Sequence, residues 1–77
     1  MDQQLDPDER GELVRRLFAA MTMALEDVAA LAADGQRPQD GAAAQALAQK
    51  VRSGAELAVM LAEAAGVIAR DGVEFSA

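Results

Sequence analysis

The chain contains no cysteine, no histidine, no tyrosine and no tryptophan, and its aromatic content is two phenylalanines. Without cysteine no disulfide can brace the fold, and without cysteine or histidine the usual structural zinc sites are excluded. The same absences remove the common nucleophiles and the commonest general base, leaving Thr22, Ser53 and Ser76 as the hydroxyls, none beside a recognisable base. No enzyme activity, metal or cofactor is expected. Helix-bundle metal sites pair inward glutamates with Glu-x-x-His, and Glu56 and Glu63 stand here with no histidine.

Long apolar runs are also missing. The alanine-rich segment is broken by Lys50, Arg52, Glu56 and Glu63, so no stretch of about 18 apolar residues is available to cross a bilayer. The start, "MDQQLDPDER", is acidic and lacks the positive, then apolar, order of a secretory signal. The expectation is a soluble, cytoplasmic protein. Basic residues are scarce as well, seven against thirteen acidic, giving a net charge of -6. Such a surface repels phosphate backbones and anionic lipid, so neither nucleic acid nor membrane is an expected partner. Frequent alanine, glycine, valine, arginine and aspartate, with one lysine and no asparagine, fit a G+C-rich bacterial or phage genome.

What the chain does have is alanine in helical order. Asp6-Pro7-Asp8-Glu9 combines an N-cap acceptor, a proline at the first helical position and a glutamate placed for a capping box, with Leu5 available to staple back onto the first turns. From there Val14, Leu17, Met21, Ala24, Val28 and Leu31 repeat at steps of three and four, the seam of a helix that faces another helix. Phe18, Leu25 and Ala32 run along one flank of it, Leu13 and Ala20 along the other. Glu12 and Arg16 form an i,i+4 pair in the favourable order.

The pattern stops at "ADGQRPQDG", where Gly35 suits a left-handed C-cap, Pro38 disfavours helix at Arg37 and Asp40 can cap a second helix. The expected elements are a helix over about 7–34, a loop at 35–40, a helix over about 41–70 ending at Asp71-Gly72, and a tail at 71–77. A connection this short joins antiparallel neighbours. The fold class is therefore all-α, one domain built as an antiparallel hairpin of two long helices.

The second helix carries two adjacent seams. Leu47, Val51, Gly54, Ala58, Leu61, Ala65 and Ile68 make the first, and Ala44, Ala48, Val51, Ala55, Ala58, Ala62, Ala65 and Ala69 make the second, which is nearly all small. Small side chains allow helix axes to approach to the lower end of the usual 8–10 Å. Gly54 and Gly66 each lower helix propensity by about 1 kcal/mol, so a tight crossing at Gly54 and a bend or close contact at Gly66 are the readings that would justify them. A third row, Leu57, Met60, Ala64 and Val67, widens the apolar surface beyond what one partner helix covers.

A chain of 77 residues buries only about 60% of its unfolded surface and needs reinforcement. Pairing two hairpins into a four-helix bundle would supply it, with Val14, Leu17, Phe18, Met21, Leu25, Val28, Val51, Ala55, Ala58, Met60, Ala62 and Ala65 as interface residues. The functional expectation is a non-enzymatic protein–protein interaction module, a small regulator, adaptor or chaperone, working as a homodimer through an Ala-rich helical face. Another protein could be engaged through a helical face or through the tail carrying Phe75. The alternatives are an auxiliary subunit of an enzyme whose chemistry sits on another chain, and an acidic inhibitor occupying a partner's nucleic-acid-binding surface.

Overall fold

A computed structural model describes residues 6–76, with side chains through Arg70. It holds two helices packed against each other as a hairpin, α1 (Pro7–Asp34) and α2 (Gly41–Ser76), in a slab of 55 × 23 × 15 Å.

Both helix starts are fixed by side chains that the sequence announces. The Glu9 amide donates to Asp6 Oδ1 at 2.7 Å and the Asp6 amide to Glu9 Oε1 at 3.4 Å, which closes the capping box around Pro7. The Ala43 amide donates to Asp40 Oδ1 at 2.7 Å and the Ala44 amide to the Asp40 carbonyl at 3.0 Å, so α2 begins on an N-cap aspartate, without the reciprocal half of a capping box because alanine stands at position 43. The staple expected from Leu5 lies outside the described residues.

The two helix ends depart from expectation. Gly35 is right-handed, with φ -66° and ψ -14°, rather than left-handed. The last turn of α1 instead tightens: the Gln36 amide donates to the Ala33 carbonyl at 3.1 Å and the Arg37 amide to Asp34 at 3.2 Å. Gln39 then folds back, its Nε2 donating to the carbonyls of Asp34, Gly35 and Arg37 at 3.3, 3.2 and 3.1 Å. A side-chain amide thus serves the carbonyls at and just beyond the helix end, while the Gly35 amide itself donates to the Leu31 carbonyl at 3.1 Å. At the other end, α2 continues through Asp71-Gly72 to Ser76. Asp-Gly is a weak stop when no proline follows it, because a glycine lowers helix propensity by only about 1 kcal/mol. The side chain of Phe75 lies outside the described residues.

The contact between the helices follows the first seam of each. Ala24, Ala58 and Ala65, at 7%, 8% and 3% exposure, are the buried residues among those described. Val14, Leu17, Met21, Val28 and Leu31 of α1 and Leu47, Val51, Gly54, Leu61 and Ile68 of α2 are half-buried beside them. Gly54 fixes the register: a methyl group built on it would stand 2.6 Å from Val28 Cγ2. Equal heptad steps from that point along two antiparallel helices bring Ala24 level with Ala58, Met21 with Leu61 and Leu17 with Ala65. Large meets small where Val28 faces Gly54 and Leu17 faces Ala65, while Ala24 and Ala58 form an all-alanine layer and Met21 and Leu61 an all-large one; Ala65, level with Leu17, is the most deeply buried of the three alanines.

The two interior glycines therefore differ. Gly54→Ala gains about 1 kcal/mol of helix propensity but drives a methyl group into Val28, whose β-branch leaves it one favoured rotamer in a helix. Overpacking of this kind costs about 1–3 kcal/mol. Among the described residues, nothing beyond its own helix turn lies within 4 Å of a methyl group built at Gly66, against the expectation of a close contact there. We expect Gly54→Ala to lower the melting temperature and Gly66→Ala to raise it, as read by circular dichroism at one protein concentration; two rises would show that the helices at Gly54 can part freely.

Candidate functional site

The hairpin seam uses up the inward edge of each helix and leaves large apolar groups outside it. Phe18, Met23, Leu25, Leu57, Val59, Met60 and Val67 are all exposed in the single chain, Met23 at 67% and Phe18 at 57%.

At about 100° per residue, a helix carries its outward groups on two flanks of its seam. In an antiparallel pair of right-handed helices, the flank one residue beyond each d position of the heptad lies on the same broad side for both. That side collects Phe18, Leu25 and Ala32 from α1 and Ala48, Ala55, Ala62 and Ala69 from α2, all exposed. No charge occurs on these flank positions. Thr22, at the outer margin, turns its hydroxyl back to the Phe18 carbonyl at 3.0 Å and so offers no unsatisfied donor there.

The opposite broad side carries Leu13, Ala20 and Asp27 from α1 and Lys50, Leu57 and Ala64 from α2, with Met23, Met60 and Val67 further out. It is apolar toward the chain ends and charged toward the loop.

The residues expected at an interface consequently fall into three groups. Val14, Leu17, Met21, Val28, Val51, Ala58 and Ala65 lie in the seam between α1 and α2. Phe18, Leu25, Ala55 and Ala62 come together on the first broad side. Met60 is on the second, apart from them. The second seam of α2 is not what the helices of one chain share: Ala44, Ala48, Ala55, Ala62 and Ala69 are exposed, and only Ala58 and Ala65, which belong to both seams, are buried. Ala24 completes the buried layer opposite Ala58. Gln39 is the residue that pattern reading missed, because a side-chain cap of a helix C-terminus has no periodic signal.

Charges line the outer edges. Glu12 accepts from Arg16 Nε at 3.2 Å, the expected pair, and also from Arg15 at 3.1 Å, while Arg52 pairs with Glu56 at 3.0 Å. These donors hold the Glu12 carboxyl below its ordinary 4.5, Arg15 first and Arg16 second. The Glu9 amide does the same for Asp6, below 3.8. A carboxyl lowered in the folded chain stabilises it above its unfolded pKa, and that stabilisation disappears as pH falls through the folded value. Acidification through and below the ordinary carboxylate range should therefore lower the melting temperature. The double variant Asp6→Asn/Glu12→Gln should show a shallower acid limb, and an unchanged slope would remove these two groups as its cause.

Two shallow grooves, one by Asp8, Glu12, Leu13 and Arg16 and the other by Arg52, Ala55, Val59 and Met60, each run along a single helix and open to solvent. Among the described residues there is no cluster of three or more acidic side chains placed to hold a metal ion, and no helix long and apolar enough to cross a membrane. No family model, curated protein or solved structure matches the chain.

Proposed function

We propose that the chain is a non-enzymatic interaction module whose first partner is a second copy of itself, two hairpins closing into a four-helix bundle. The observation that carries this reading is the mismatch between what one chain buries and what it exposes: among the described residues the buried ones are three alanines, while seven large apolar side chains face outward. Three methyl groups and a half-covered seam are little with which to offset the entropy of ordering two long helices, and apolar area removed from water is the term that must do so. A second copy removes more of it at once.

Association of this kind makes folding and assembly one event, and melting then depends on concentration. Such a module works by presenting its remaining surface, in the manner of a regulator, an adaptor or a small chaperone. Sedimentation equilibrium at micromolar concentration tests the premise. A species of twice 8.0 kDa or more is expected, and a stably helical species of 8.0 kDa would overturn the reading.

A further inference from the structure

The dimer reading leaves open which broad side is covered and which helix lies on which. We propose that two copies meet through the Phe18–Leu25 side, with α1 of each resting on α2 of the other about a two-fold axis parallel to the helices. The proposal rests on the dimer reading and specifies its interface.

Three observations carry it. The first is shape. On this side the flank of α1 bears the protrusions, Phe18 and Leu25, and the flank of α2 bears alanine, with Val59 further out, so the two flanks complement each other when α1 is laid over α2 of a second copy. On the opposite side both helices protrude, Leu13 on one and Leu57 on the other, with no row of small residues to receive them. The second is charge. The flank positions of this side carry none, whereas Asp27 and Lys50 interrupt the other, and covering them would strip hydration from ions. The third is area. A broad side of 55 × 23 Å offers on the order of 1,000 Å² per copy, against the roughly 800 Å² per partner of a stable complex.

The axis makes the register definite. Rotation about a line parallel to the helices preserves height, so Phe18 reaches the level of the partner's Ala62, Leu25 that of the partner's Ala55, and Ala32 that of the partner's Ala48, each within about 3 Å along the axis. A two-fold axis across the helices would instead set α1 on α1 and alanine on alanine, leaving a gap beside the protrusions.

The absence of native cysteine makes the arrangement directly testable. Ala32→Cys and Ala48→Cys each replace an exposed small residue, so neither should disturb folding. The two single-cysteine proteins are refolded together from urea and treated with a short bis-maleimide, with helicity and mass measured on the same sample. The mixed cross-link is expected to dominate, with little from either protein alone and little from the mixture of Ala20→Cys with Ala64→Cys on the opposite side. Cross-linking of the Ala20/Ala64 mixture, alone or together with the first, would overturn the choice of side. A strong Thr22→Cys homodimer without the Ala32/Ala48 product would overturn the placing of α1 on α2. A helical species of 8.0 kDa with no cross-link would overturn the dimer itself, and so the proposal with it.

Discussion

Ala58→Leu should melt well below the parent protein. Ala58 is 8% exposed and stands level with Ala24 at 7%, where the two helices touch through methyl groups. A leucine there adds three heavy atoms to a layer with no room for them, and its neighbours cannot yield without separating the helices. Overpacking costs about 1–3 kcal/mol, and for a domain of this size each kcal/mol corresponds to roughly 4–8 °C. The control is Ala19→Leu on the exposed outer face of α1, where the change should stay within about 0.5 kcal/mol. Thermal melts at matched concentration decide between them. If Ala58→Leu melts with or above the parent while keeping its helicity and mass, the alanine layer is not close-packed.

Phe18→Asp should have the other large effect, on assembly rather than on the hairpin seam. Phe18 is 57% exposed in the single chain, so an aspartate there breaks little within one copy. In the proposed dimer it would place two carboxylates, one from each copy, over the alanine row of α2, which carries no cation at its flank positions, while the nearby Arg15 is paired with Glu12. Removing unpaired ions from water costs several kcal/mol each, enough to weaken association by orders of magnitude. The mass measured at micromolar concentration should fall to that of the monomer, with helicity lost alongside it. Met23→Asp is the matched control: it is 67% exposed and belongs to the other broad side, so its mass should remain that of the parent. The reverse pattern, Met23→Asp dissociating and Phe18→Asp not, would move the interface to the opposite side.

Much of the hairpin is legible in the sequence, for physical reasons that differ from part to part. Asp6 and Asp40 mark helix starts because capping is a local hydrogen bond between a side chain and an amide two or three residues on, which needs no tertiary context. The heptad of α1 is equally readable, since Val14, Leu17, Met21, Val28 and Leu31 are larger than most of what surrounds them. On α2 the contrast fails. Alanine lies on the inward edge and on a flank alike, so periodicity yields two overlapping seams, and it takes the packing itself, Gly54 against Val28 and the half-buried Leu47, Leu61 and Ile68, to tell which one meets α1. The end of α1 was hidden for another reason: a glycine permits a left-handed cap without requiring one, and Gln39 supplies the competing acceptors' donor from four residues further along. Asp71-Gly72 shows the same limit, as a weak breaker inside a long helix is a matter of fractions of the total helix energy.

The notch at Gly54 also determines how uniquely the two helices can be aligned. Methyl groups have almost no shape, and a pair of alanine-lined rods can slide past one another by a whole repeat while keeping nearly the same contacts. Along the inward edge of α2, the positions equivalent to Gly54 one repeat away are Leu47 and Leu61. Shifted by seven residues in either direction, Val28 would meet a leucine instead of an opening, and the helices would be held apart along their length. One absent side chain thus acts as the keyway of the hairpin, selecting a single alignment from several that its smooth neighbours would tolerate.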